Sequence, residues 1–340
     1  MSSFSSAYLS TRLSIFSNHL IDFDFLTELF GLDLEQILKR VEMLTGHNYS
    51  LDAKGAGSIE NQLANTAFND FQLLIRPFSG RERRFFFYAI RWFELVNLKV
   101  LIRGKFSKTE NSIIQQQLID LGDFAELPLN KLLDTEDTHE MLRLLETTAY
   151  SGIVRQARQV YEEHGNDLFL LDATIDRSFF ISLKQRLQAL DNQDTTQVTQ
   201  VMGVLLDRFN LLWLLRYRFS YKLSPAKSYY LLTASGRILH SANLMRLAKM
   251  DSVEEVLSEL PESLQKKLSG LKTICEIETA LEYSTLAVAS KVLNQTNLIS
   301  RFFAYIILRE AETRFLQALI KGKQLGFDDE LIKQAVVGIK

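Results

Sequence analysis

An all-α protein is what this sequence predicts, on three observations. Only 4 Pro and 15 Gly punctuate 340 residues, beside 23 Phe, whereas sandwiches and barrels draw heavily on both turn formers. Three apolar segments, Phe85 to Lys105, Val201 to Arg218 and Phe302 to Lys323, are too long for strands. Each is apolar around most of its circumference, as a helix buried on several sides must be. The third observation is that these segments are versions of one another.

They align without gaps. The first carries Glu94, Asn97, Arg103 and Lys105, the second Asp207, Asn210, Arg216 and Arg218, and the third Glu312, Phe315, Lys321 and Lys323. The pattern is an acid, Asn three later (Phe in the third), leucines, then basic residues nine and eleven after the acid. A second element keeps the same period. Leu26-x-x-Leu29 precedes Asp33-Leu-Glu-Gln36, Leu129-x-x-Leu132 precedes Asp137-Thr-His-Glu140, and Leu244-x-x-Leu247 precedes Asp251-Ser-Val-Glu254. Each resembles a capping box, in which Asp and a later acid or amide accept from the unpaired N–H groups of a helix start. The spacing from capping Asp to helix acid is 61, 70 and 61 residues. The polar stretch Asp191–Gln197 reads as a loop insertion that lengthens the middle copy. These spacings predict three helical repeats, 1–113, 114–224 and 225–340, packed as one pseudo-symmetric body.

Several function classes lack their residues. A net charge of -2, from 39 Lys+Arg against 41 Asp+Glu, argues against nucleic-acid binding through the overall field. The single Cys275 makes an internal disulfide framework impossible and a thiolate metal site unexpected. The 5 histidines, His19, His47, His139, His164 and His240, show no metal-ligand spacing. Lys54-Gly-Ala-Gly57, Gly104-Lys105-Phe106 and Gly322-Lys323-Gln324 all lack the Gly-Lys-Ser/Thr of a phosphate loop, so no direct nucleotide binding is expected. Asp328-Asp329 has no counterpart to complete a paired Asp-rich magnesium site. Expected catalytic residues, cofactors and metals are therefore none. No secretory leader is visible, and apolar runs such as Leu211–Leu215 end at a charge, here Arg216. A span needs about 20 mostly apolar residues, so a cytoplasmic protein is expected, meeting a membrane only through partners.

The acid and Asn share one helix face. They read either as a repeated ligand or ion site or as structural polar contacts, since a buried polar group must find a partner. Phe315 in the third copy favours the second. The basic residues Arg103, Lys105, Arg216, Arg218, Lys321 and Lys323 read either as complements to a helix dipole or as candidate interface residues. Residues 76–108 hold nine Lys/Arg against two acids, and 120–146 hold eight acids against two Lys/Arg, which suits distinct faces for distinct partners.

Taken in order along the chain, these motifs resemble the d subunit of vacuolar-type rotary ATPases, known as the C subunit in bacterial and archaeal complexes. The resemblance runs through Tyr8-Leu-Ser-Thr-Arg12-Leu, Glu94-x-x-Asn97-Leu-Lys99-Val-Leu-Ile-Arg103, Leu171-Asp172 and Asp176-x-x-Phe179-Phe180. It continues through Asp207-x-x-Asn210-Leu-x-x-Leu-x-Arg216, Tyr305-Ile-Ile-Leu-Arg-Glu310-Ala-Glu312-x-Arg314 and Leu319-Ile-Lys321-Gly322-Lys323. It implies an all-helical, pseudo-threefold funnel on the membrane proteolipid ring, with the foot of the central axle inserted into it. The implied role is non-catalytic, coupling the ATP-driven axle to proton or sodium transport. There are two departures: Thr233-Ala-Ser-Gly236-Arg237 stands where the family often has Pro-Gly-Gly, and Phe315 stands for Asn. The alternative from another class is a free-standing helical scaffold for protein interaction.

Overall fold

The computed structural model describes residues 3–21, 23–50, 58–163, 165–190, 192–233 and 236–337, and among these it contains helices and no strand. The Lys54–Gly57 turn falls outside them. In chain order α1 (Ser3–Asn18), α2 (Phe23–Leu29), α3 (Leu34–Thr45) and α4 (Ile59–Ile75) lead to the long α5 (Gly80–Phe106). Then come α6 (Asn111–Gln116), α7 (Leu129–Leu133), α8 (Thr138–Leu145), α9 (Ser151–Glu163), α10 (Leu168–Gln188) and α11 (Asn192–Leu215), which continues as a π-helical turn, Arg216–Ser220. Next are α12 (Pro225–Tyr230), α13 (Ser241–Leu247), α14 (Val253–Ser258), α15 (Glu262–Leu268) and α16 (Ile274–Leu293). Last come α17 (Leu298–Gln324) and α18 (Asp329–Val337).

The three repeated segments lie on α5, on α11 with its π turn, and on α17. The polar residues after 191 open α11 rather than forming a loop, a correction to the insertion reading. Helix starts leave N–H groups unpaired and so accept polar residues readily.

The capping boxes differ in detail. Asp33 and Gln36 form the full reciprocal box at α3. Asp137 accepts from the Glu140 amide at 2.8 Å, while Glu140 accepts from Glu136. At α14 the box sits one residue later than expected: Ser252 accepts from the Glu255 amide at 3.1 Å, and Glu255 accepts from Asp251 at 3.0 Å.

Chain contacts divide the protein into two compact units. One runs to Phe179 and takes in Arg309–Ile332; the other comprises Phe180–Leu308 with the residues from Lys333 onward. The first unit's core is dense in rings. Phe68, Phe71, Phe78, Phe85, Phe86 and Phe93 are all at most 5% exposed, and Tyr88 stacks on Phe179 at 5.2 Å. In the second, α11 packs on α16, with Phe209 between Phe180 (4.4 Å) and Trp213 (5.4 Å).

One segment corrects the expectation that no stretch is apolar enough to span a bilayer. Thr195–Ser220 is long and apolar enough to cross a membrane by length and composition, with mean hydropathy 1.3. It is instead mostly buried, and its Arg208 pairs with Glu282 of α16 at 3.3 Å.

Candidate functional site

Each signature acid holds backbone. On α5, Glu94 accepts the amides of Glu126 and Leu127 through Oε1, both at 2.5 Å, and the Tyr150 hydroxyl through Oε2. On α11, Asp207 accepts the amides of Ile238 and Leu239, each at 2.8 Å. On α17, Glu312 accepts the Ile21 amide at 3.0 Å and an Arg309 N–H at 2.5 Å. Leu127, Leu239 and Ile21 occupy one equivalent place, two residues ahead of the first residue of α7, α13 and α2. Connecting backbone has no helical partner, and once buried it must be satisfied by side chains.

The asparagines do the same one turn on. Asn97 donates to the Ile119 carbonyl at 2.7 Å and accepts its amide at 2.8 Å. Asn210 accepts both the Thr233 amide (2.9 Å) and its hydroxyl (2.7 Å). Phe315 is buried at 8% exposure in the third helix.

The basic residues separate into two sets. Lys105 donates to the Leu133 carbonyl, Arg218 to the Met250 carbonyl at 2.9 Å, and Lys323 to the Phe30 carbonyl at 2.6 Å. These carbonyls lie at or just past the ends of the same short helices, α7, α13 and α2. One long helix thus grips a short one at both ends, its acid taking amides ahead of it and its base taking a carbonyl behind it, matching the short helix's dipole. The other set forms side-chain ion pairs: Arg103 with Asp172 (2.5 Å), Arg216 with Glu278 (2.7 Å) and Lys321 with Glu60 (3.5 Å). Their side chains remain 60%, 36% and 58% exposed.

The ends of the long helices match as well. Each closes with a left-handed residue, Lys108 (φ 52°), Lys222 (φ 51°) and Gly326 (φ 72°). An amide then reaches back to the helix: Thr109 to Gly104 (2.8 Å), Leu223 to Tyr217 (2.8 Å) and Phe327 to Gly322 (3.0 Å). The middle one spans one residue more, and the π turn there absorbs it. The short helices α6 and α18 then press on a glycine: a Cβ at Gly104 would lie 2.5 Å from Ile114, and one at Gly322 would lie 2.6 Å from Ile332. In the second helix the buried Tyr217 stands at that position, and α12 brings the small, buried Ser228.

Two further clusters were not legible as such. Lys99 and Arg103 on α5 face Asp176 and Asp172 on α10, forming two adjacent ion pairs, with Lys99 also 5.2 Å over the Trp92 ring. Arg309, 3% exposed, stands between Glu312 and Asp70, the latter at 3.3 Å. Tyr150 and Asp70 carry no local sequence signal, because their partners are 56 residues and more away.

Burial pushes the carboxyls of Glu94, Asp207 and Glu312 above the ordinary range, although the bonds they accept pull the other way. A carboxyl raised on folding binds more protons in the folded state. Stability is then greatest below the unfolded value of about 4 and falls as pH rises through the folded one. Glu94→Gln keeps one oxygen for the two amides and offers an N–H to Tyr150. It should change stability at neutral pH by less than about 1 kcal/mol and flatten the decline above the unfolded value, read by urea titration across pH. An unchanged slope would show that Glu94 does not contribute to it.

Comparison with known proteins fits this picture. The profile of the ATP synthase (C/AC39) subunit family matches residues 9–335. The C subunit of an A-type ATP synthase from Halorubrum lacusprofundi is 28% identical, over 73% of this chain and 72% of its own length. The corresponding protein of Methanosarcina mazei is 22% identical over 97% of this chain and 92% of its own length, and that of Haloquadratum walsbyi is 26% identical over 85% and 83%. The match takes in α5, α11 and α17 with every residue of the repeated clamp, and the chain belongs to the ATP synthase (C/AC39) subunit family, that of the rotary V-type and archaeal ATPases.

Proposed function

We propose that this chain is the non-catalytic central-stalk subunit of a V-type rotary ATPase, on the cytoplasmic face of the membrane, joining the rotating axle to the proteolipid ring. The observation that carries the reading is the family match over nearly the whole chain. A coupler transmits torque without chemistry, so it needs a stiff body, and close-packed interiors transmit strain. The clamps are devices of that kind: each ties a long helix to a distant short one through buried hydrogen bonds.

We also read three repeats, 1–113, 114–224 and 225–340, as the basis of the funnel that the family resemblance implies. Support comes from the matched acids, bases, left-handed ends and held helices. Glu312 and Lys323 hold the segment around α2 as their counterparts hold α7 and α13. The third copy therefore serves the first.

The deciding experiment is recovery from detergent-solubilised membranes. The stalk reading expects the chain to co-purify with catalytic and proteolipid subunits, its deletion to uncouple ATP turnover from ion transport, and the isolated chain to show no ATPase activity. Recovery free of those subunits would favour the scaffold instead. Within the complex the two basic sets should separate. Arg103→Gln, Arg216→Gln and Lys321→Gln remove basic side chains that are more exposed than the acids they meet, and each should cost the isolated chain about 1 kcal/mol yet reduce co-purification. Arg218→Met and Lys323→Met should each cost about 1–3 kcal/mol by leaving a carbonyl unpaired, and Lys105→Met less, because the Asn111 amide also donates to the Leu133 carbonyl at 2.7 Å. Equal losses in both sets would count against the first set as an interface.

A further inference from the structure

We propose that the knuckle joining α4 to α5 docks a carboxylate-rich segment of a neighbouring protein subunit. Arg76, Arg81, Arg83 and Arg84 are all exposed around this one connection, and across 76–84 the one acid is Glu82. No other described α-helix carries more than one basic residue in its first five positions. The first turns of α3, α4, α8 and α16 carry Glu35, Glu60, Glu140 and Glu276 with no Lys or Arg, whereas that of α5 sets Arg81 beside Glu82. Acids suit a helix start because the free N–H groups make it positive. Arg81 in the first turn, with Arg83 and Arg84 directly after it, adds positive charge where the free N–H groups are already positive, and Ser79 supplies no side-chain cap. Arg83 does lie 5.1 Å over the Phe87 ring and reaches the Arg76 carbonyl at 3.4 Å, but its charge stays in water. An arrangement that works against its own helix points to a partner outside it.

The chemistry of that partner follows from the patch. All four cations are Arg, whose planar fork binds carboxylates two bonds at a time. A membrane surface would share the negative charge, but interfacial contacts add aromatic or aliphatic anchors. Here Phe78, Phe85 and Phe86 are at most 2% exposed, and no large apolar side chain from 76 to 84 is exposed. Acidic protein fits better than lipid.

The inference rests on the reading of the chain as a stalk subunit, and the test keeps the two separable. Rotary complex stripped of this subunit is titrated with wild-type chain, with Arg76→Glu/Arg81→Glu/Arg84→Glu, and with the corresponding triple Lys variant. The reversal should weaken binding at least tenfold while the isolated variant melts at the same temperature or higher, since acids suit the start of α5. The Lys variant should bind between the two, and wild-type affinity should fall steeply with salt. Equal binding of wild type and reversal overturns the knuckle alone, whereas a wild type that does not bind stripped complex overturns the stalk reading with it. Should reversal leave complex binding intact but abolish association with phosphatidylserine vesicles, or self-association in sedimentation, the acidic-subunit assignment falls.

Discussion

Arg309→Met should lower the stability of the chain by about 3–5 kcal/mol, the usual loss when one partner of a buried ion pair is removed. Arg309 is 3% exposed, and it is held by Glu312 (3%) and Asp70 (7%). Methionine fills similar space but leaves two carboxylates facing each other in the interior. Glu312 then keeps one amide, that of Ile21. The loss should depend on pH in a defined direction. Burial already raises the Glu312 carboxyl, and Arg309 is the first influence holding it down. Without Arg309 the acid protonates more readily, so part of the lost stability returns as pH falls from neutrality towards the unfolded carboxyl value. A second change, Asp70→Leu or Glu312→Leu, should recover some of the loss because it removes a stranded charge. Urea titration at neutral and mildly acidic pH measures all of this, and a loss below about 1 kcal/mol, the scale of an exposed pair, would show that the cluster is not a structural keystone.

Gly236→Ala is the second large effect, of about 3 kcal/mol, at the upper end for overpacking. Its Cβ would stand 2.0 Å from Asp207 Oδ1 and 2.8 Å from the Asp207 backbone nitrogen. The helix backbone cannot retreat, and the carboxylate cannot turn aside without releasing the amides of Ile238 and Leu239. This is the one glycine kept where the family often has Pro-Gly-Gly, and it is the position that brings the 236–239 segment onto α11. Amide exchange at Ile238 and Leu239 should quicken in the variant. A normal melting temperature with unchanged exchange would mean that the segment relaxes around the methyl group.

Much of the architecture was legible from pattern alone. Scarce Gly and Pro and three long apolar periods lead to an all-helical chain and to α5, α11 and α17. What the acids hold was not legible, because their backbone partners lie 31 to 33 residues downstream or, for Glu312, 291 residues away. Sequence periodicity speaks only of neighbours on one helix.

The difference between the two basic sets could have been read. At about 100° per residue, the base eleven residues after the acid returns to the acid's face, while the base nine after it points to the opposite side. Lys105 shares a face with Glu94, and Arg103 turns to α10. The one-residue shift of the α14 cap was open to no such reasoning, since Asp251 and Ser252 are both good caps.

The interrupted first unit bears on how the chain is made. Its last portion, Arg309–Ile332, emerges from the ribosome only after all of Phe180–Leu308. A nascent chain can therefore bury the α11–α16 core while Glu94 and Lys105 have already found α7, yet Ile21 still waits for Glu312. The long wait exposes the apolar surface around α2 to other chains. Supplying α17 and α18 as a separate peptide to a chain ending just before Leu298 should then rescue a stalled intermediate, turning a feature of connectivity into one of biosynthesis.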